Sequence, residues 1–247
     1  NGMHQPFGKN RIQYEQFDWQ KFEYETYTIF FYGLGRNLAE FTAFEADGIT
    51  GEMQRFFDYP LQSKKIQFVV YQKLEHFRQS NIGIPEGDES NVGGVTQLAG
   101  NKVFLYYDGD LNNLRKQIRS GIAQVLLSQM LFGDNWREMI KNSTLLNFPL
   151  WYTEGLKDYA TETWSVQADD RLRDMILRND YEKFNRLTGE EAAIAGQSLW
   201  YYIAETYGSS VIPNILYMSR VSRNVESGFL FVLGISFNTL LNDAKLY

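Results

Sequence analysis

The sequence predicts an α+β fold in which a small, twisted mixed sheet with accompanying helices is followed by an all-helical lobe. Three observations carry this. Runs of β-branched and aromatic residues occur near 26–32, 66–71 and 103–107. Long stretches at Arg36–Phe57 and Leu111–Phe132 repeat their apolar residues at helical spacing. After Asp108 only helical spacing is found, through to Tyr247. With 44% apolar and 22% charged residues in 247, the chain has ample material for a packed core.

The elements follow in order. Residues 6–24 are aromatic and polar without a clear period, so no element is predicted there. Thr26-Tyr27-Thr28-Ile29-Phe30-Phe31-Tyr32 has the composition of a buried strand, broken by Gly33 and Gly35. From Arg36, the residues Leu38, Phe41, Phe44, Ile49, Met53, Phe56 and Phe57 mark one long helix, with Gly48 and Gly51 as weak points inside it. Pro60 ends that helix, and Lys65–Tyr71 forms a second strand. A short helix at Leu74–Gln79, a loop at Pro85–Gly94 and a strand at Val103–Tyr107 complete the first lobe, residues 1–110. The helical lobe, 111–247, begins with Leu111–Phe132 and is punctuated by Gly133, Pro149, Gly189, Gly208, Pro213 and Gly234. No internal repeat or flexible linker separates the lobes, so residues 1–247 read as a single domain.

Composition excludes several classes of function. The formal net charge is −6, with 24 basic against 30 acidic residues and no basic block, which argues against nucleic acid as a partner. With no cysteine, disulfides, thiolate zinc sites and cysteine nucleophiles are all absent. The two histidines, His4 and His76, are too few for a His-rich metal centre, and His76 is expected to be exposed on its short helix. No apolar run approaches the roughly 18 residues of a membrane span. Asn1 reads as a processed or engineered start, compatible with a removed signal peptide.

Three short motifs fail on inspection. Gly33-Leu34-Gly35-Arg36-Asn37-Leu38 follows a strand like a dinucleotide fingerprint, but Leu38 stands where the third glycine must let helix and strand approach. Asp108-Gly109-Asp110 opens like a calcium loop, yet its twelfth place is Arg119, so Asp110 reads better as a helix N-cap. Asn142-Ser143-Thr144 is a glycosylation triplet that says nothing alone.

Two longer segments are more informative. Trp151-Tyr152-Thr153-Glu154-Gly155-Leu156-Lys157-Asp158-Tyr159 resembles the glutamate helix of gluzincin metallopeptidases, whose Trp-x-x-Glu-Gly-x-x-x-Tyr pattern supplies the third zinc ligand. About thirty residues upstream, Arg119-Ser120-Gly121-Ile122-Ala123-Gln124-Val125 occupies the place of the family's HExxH helix. On that alignment the histidine positions are Ser120 and Gln124, and the glutamate position is Gly121. Residues 5–14, the strand ending Phe31-Tyr32, Val92–Thr96 and Ser198–Gly208 are similar to a Bacteroidetes group in which such a peptidase-like domain precedes a TolB-like β-propeller. The resemblance implies a zincin-like fold, export to the periplasm or outer membrane, and a propeller beyond residue 247.

The departure from the motif is chemical. Residues i and i+4 share a helical face, so two histidines there grip one metal while a carboxylate at i+1 reaches its water. Catalytic zinc takes three ligands from His, Cys or carboxylate and keeps one position open. Ser120 offers a neutral hydroxyl, Gln124 an amide oxygen, and Gly121 no side chain at all. Glu154 alone cannot hold zinc against water, so no metal and no other cofactor is expected. Simpler accounts exist: Glu154 sits where a helix dipole favours an acid, and Gly121 can serve close packing against the Glu154 helix. No histidine lies in the helical half and no lysine stands at a convincing spacing to activate Ser120 as a nucleophile. Trp151, Tyr201 and Tyr202 are candidates to line a cleft between the Leu111–Phe132 and Pro149–Thr163 helices, or plain core aromatics. The expectation is a catalytically inactive peptidase-like domain that binds or scaffolds a peptide, glycan or envelope protein without spanning a membrane. The alternative is a zinc-independent hydrolase using Glu154, Asp158 and Glu162, spaced at i, i+4 and i+8.

Overall fold

The computed structural model describes residues 17–61, 65–79, 101–133, 146 and 148–247. His4, the segments 5–14 and 92–96, the loop at Pro85–Gly94 and the triplet Asn142-Ser143-Thr144 lie outside the described residues. The fold is mixed α+β, with a four-stranded sheet followed mostly by helices. In chain order the elements are β1 (Trp19–Glu23), β2 (Tyr27–Tyr32), α1 (Arg36–Phe57), β3 (Ile66–Tyr71), α2 (Leu74–Gln79), β4 (Lys102–Tyr106) and α3 (Leu111–Phe132). Then come α4 (Leu150–Thr161), α5 (Val166–Leu177), a 3-10 segment (Asp180–Arg186), α6 (Gly189–Tyr207), α7 (Val211–Ser222), α8 (Val225–Leu233) and α9 (Phe237–Leu246).

The sheet order is β1-β2-β3-β4. β1 runs antiparallel to β2, with Trp19 opposite Tyr32, whereas β2–β3 and β3–β4 are parallel, with Tyr27 opposite Ile66 and Phe68 opposite Val103. Period-two alternation then sorts the side chains. Tyr27, Ile29, Phe31, Ile66, Phe68, Val70, Val103 and Leu105 share one face, and all are buried. Helix α1 is fastened to that face by the Tyr27 hydroxyl, which donates to Ala43 O at 3.0 Å and Asp47 Oδ1 at 2.7 Å. On the opposite face, Tyr32, Tyr71 and Phe104 pack with Phe77 of α2.

β1 is an addition to the predicted strands. Its five residues are mostly exposed and include the Lys21–Glu23 ion pair, so the apolar alternation that marks a strand is missing. His76 is not the exposed residue expected from sequence. It is half-buried, its Nδ1 lies 2.7 Å from the Tyr32 hydroxyl, and its ring lies 5.1 Å from that of Phe17. Two of the predicted breaks fall inside helices. Gly189 is the first residue of α6 and Pro213 the third of α7, a first-turn place where proline loses no helical hydrogen bond.

The chain divides into two compact units, one of Asn1–Gly48 with Lys65–Gly121, the other of Ile49–Lys64 with Ile122–Tyr247. The first holds the sheet. The second is built around an aromatic core in which Trp151 stacks on Phe237 (5.1 Å, 14°) and meets Phe184 (4.9 Å) and Tyr152 (5.6 Å). Among the described residues no single helix is long and apolar enough to cross a membrane.

Candidate functional site

Helix α3 carries the first half of the candidate site. Asp110 caps it, accepting from Asn112 N at 2.8 Å, while Asp108 accepts from Asp110 N at 3.1 Å and Asn113 Nδ2 at 2.6 Å, so the calcium-like segment is a helix start. Buried Gln117 then reads the backbone of β4 as a neighbouring strand does. Its Nε2 donates to Tyr106 O and its Oε1 accepts from Tyr106 N, both at 3.0 Å. One turn later come Ser120 and Gln124, each half-buried and four residues apart on one helical face.

Gly121 is explained by β4. A Cβ at this position would lie 2.3 Å from Val103 Cγ1, far inside contact distance. The neighbour that requires a glycine here is therefore the valine of the edge strand. A glutamate at 121 would have to begin where the valine side chain stands.

Helix α4 carries the Glu154 segment of the motif and belongs to the second unit. Its close neighbour is α6. A Cβ on Gly155 would lie 2.4 Å from the backbone of Gly196, and one on Gly196 would lie 1.9 Å from Trp151 O. The two helices thus meet backbone to backbone, and two glycines are what make that approach possible. Trp151 is fully buried; its Nε1 donates to Asn185 Oδ1 at 2.9 Å, which leaves no face for a ligand. Tyr201 is half-buried with its ring 4.7 Å from Tyr159 of α4 and 6.0 Å from Trp164. The adjacent Tyr202 turns elsewhere and is buried beside Tyr247 at 5.4 Å. The three aromatics singled out from sequence therefore do not converge.

The carboxylates of α4 gather around a cation that the sequence reading passed over. Lys157 Nζ bonds Glu154 Oε2 and lies 3.7 Å from Asp158 Oδ1. Burial disfavours the ammonium, but the surrounding carboxylates of Glu154, Asp158 and Glu162 outweigh it and hold the Lys157 pKa above its ordinary value. The Asp158 pKa rises too, which for an acid favours the neutral form: burial pushes its carboxyl up to about 6, Glu162 and Glu154 add to the rise, and Lys157 opposes it. Glu162 is not the third member of a helical stripe. The helix ends at Thr161, and Glu162 is its exposed C-cap with extended backbone, donating its N–H to Asp158 O at 2.8 Å. An i, i+3 Glu-x-x-Lys spacing was the signal for the Glu154–Lys157 pair.

The residue types at the four motif positions are not those of a zinc site. Ser120, Gly121 and Gln124 offer no anionic or imidazole ligand, and the Glu154 carboxylate is held by an ammonium. Among the described residues no group of three histidines or carboxylates is arranged to hold a metal. Compared with family models, curated proteins and solved structures, the chain matches none.

Proposed function

We propose that this chain is a zincin-like pseudopeptidase domain that serves binding or scaffolding in the cell envelope, exported there, with a peptide, glycan or envelope protein as partner. The observation that carries the reading is the chemistry at the four motif positions. Ser120 and Gln124 are neutral, the space of a side chain at 121 is filled by Val103, and Glu154 is neutralised by Lys157. Hydrolysis by a metal-bound water needs an ion to bring the water pKa toward ~7, and these positions supply nothing to hold one. The glycine-mediated α4–α6 crossing meanwhile keeps the helix that bears the motif in a well-packed unit. The test is elemental analysis after zinc loading and dialysis against a weak chelator, alongside assays on mixed peptide substrates. Less than a tenth of a zinc per chain and no turnover is the expected result (~0.1 equivalent or below, given the affinity a single carboxylate allows). One zinc per chain with peptide hydrolysis overturns the proposal.

One observation favours the second reading, a zinc-independent hydrolase. A carboxyl raised to about 6 beside a lysine is poised for proton transfer near neutral pH. Turnover insensitive to chelators and abolished by Asp158→Asn would establish that reading in place of the first.

A further inference from the structure

Strand β1 is one edge of the sheet, and among the described residues no strand pairs with its outer side. Its register with β2 is unbroken, from Trp19 opposite Tyr32 to Glu23 opposite Thr28. The Tyr24 N–H donates to Tyr27 O at 2.9 Å, one step beyond that register, so Tyr24, Phe22 and Gln20 direct their backbone groups at β2. By alternation the N–H and C=O groups of Trp19, Lys21 and Glu23 point out of the sheet. Edge strands are commonly blunted by a bulge, a proline or a covering element, and β1 has neither bulge nor proline. It carries two opposite charges on one face instead: Lys21 and Glu23, 3.1 Å apart and each 56% exposed.

We propose that β1 is a self-association edge, on which the β1 of a second copy lies antiparallel about a two-fold axis at Phe22. The outward-pointing residues leave few positions for that axis. An axis at Lys21 or at Glu23 sets that residue opposite its own copy, and like charges directly opposite are destabilising. An axis at Gln20 sets Lys21 opposite Trp19. An axis at Phe22 sets Lys21 of each copy opposite Glu23 of the other, and each such pair exchanges both of its backbone hydrogen bonds. Phe22 then meets its own copy at the intervening non-hydrogen-bonded position, where facing side chains approach most closely. It is half-buried and already held, its ring 4.7 Å from that of Phe31 and 5.4 Å from the Arg36 guanidinium. Any extended chain satisfies the hydrogen bonds of an edge. The Lys-Phe-Glu order, however, is complementary to itself when reversed, and this favours a second copy over a foreign strand. The inference goes beyond the pseudopeptidase reading and uses no residue of α3 or α4.

Sedimentation equilibrium of the full chain should show a monomer–dimer equilibrium. Lys21→Glu and Glu23→Lys each set like charges opposite one another, so each should weaken the dimer at least about fivefold. Both replace exposed side chains, and their circular dichroism should match the wild type. The swap Lys21→Glu, Glu23→Lys restores the pattern and should recover wild-type association. Mixed together, the two single variants should pair with each other more tightly than either does with itself. In hydrogen exchange, the Lys21 and Glu23 amides should slow as the dimer forms, whereas the Phe22 amide is protected by β2 throughout. Four results overturn the proposal: a chain that stays monomeric, a dimer indifferent to the single reversals, single variants that do not pair when mixed, or Lys21 and Glu23 amides that exchange alike in monomer and dimer. Protection of those two amides in a monomer would assign the edge to another segment of the same chain.

Discussion

Asp158 binds its proton more tightly in the folded chain than an unfolded aspartate does, its pKa rising from 3.8 to about 6 chiefly through burial. A raised folded pKa gives stability that is full below the unfolded value and is lost as the pH climbs through the folded one. This group alone therefore makes the protein less stable at pH 7 than at pH 4, by about 1–3 kcal/mol. Asp158→Asn removes the ionisation and leaves Lys157 its bond to Glu154. Urea denaturation at a series of pH values should show the variant more stable than wild type above pH 7, with a flatter profile between about 4 and 7. A variant that loses stability at pH 7.5, by roughly the cost of a broken buried pair, would mean that Lys157 depends on Asp158 rather than Glu154. At this scale the sequence revealed which acids lie near one another but not their ranking. The lysine at i+3 can be read from spacing, but the burial that lifts Asp158 exists only once α4 has a neighbour.

At the scale of elements, glycines sort into two kinds that sequence alone cannot separate. Gly48 and Gly51 both weaken α1 on propensity, and Gly121 and Gly155 do the same to α3 and α4. A Cβ at Gly48 meets nothing within 4 Å, whereas one at Gly155 would lie 2.4 Å from the backbone of Gly196. Gly48→Ala should therefore stabilise the protein by about 0.5–1 kcal/mol, because only the helix propensity changes. Gly155→Ala should cost about 3 kcal/mol, near the top of the overpacking range, since two helix backbones would have to separate. Thermal melts of the two variants check the pair, and a neutral Gly155→Ala would refute the close crossing. Helix and strand positions were legible where one face is buried: α1, α2 and α3 lie where their apolar spacing put them, and β2 to β4 where their β-branched and aromatic runs did. β1 was illegible for the converse reason, since an exposed edge strand has no buried face to leave a period in its sequence.

The whole molecule raises a question that motif spacing could not pose. Sequence reading placed one boundary near residue 110, between sheet and helices. In the structure the units change over at Gly48/Ile49, Lys64/Lys65 and Gly121/Ile122, the first and last of these inside helices. Ser120 and Gly121 thus fall in one unit and Gln124 and Glu154 in the other, which is why a motif legible as text does not by itself define a site. A helix is cooperative, and interrupting it leaves backbone groups unpaired at each new end. With α1 and α3 both continuous through the divisions, the two units should lose structure together. The tryptophans supply the readout. Trp151, Trp164 and Trp200 lie in the second unit, two of them fully buried, and a Trp19→Phe background removes the tryptophan of β1 in the first unit. Phe68, fully buried in the sheet of the first unit, supplies the perturbation. Phe68→Ala should destabilise the first unit by about 3–5 kcal/mol. If the helices couple the units, the tryptophan fluorescence transition in urea shifts to lower concentration by the same free energy and stays coincident with the circular dichroism transition. A tryptophan transition left at its wild-type midpoint while circular dichroism falls in two steps would show that α1 and α3 break at their glycines and that the units unfold independently.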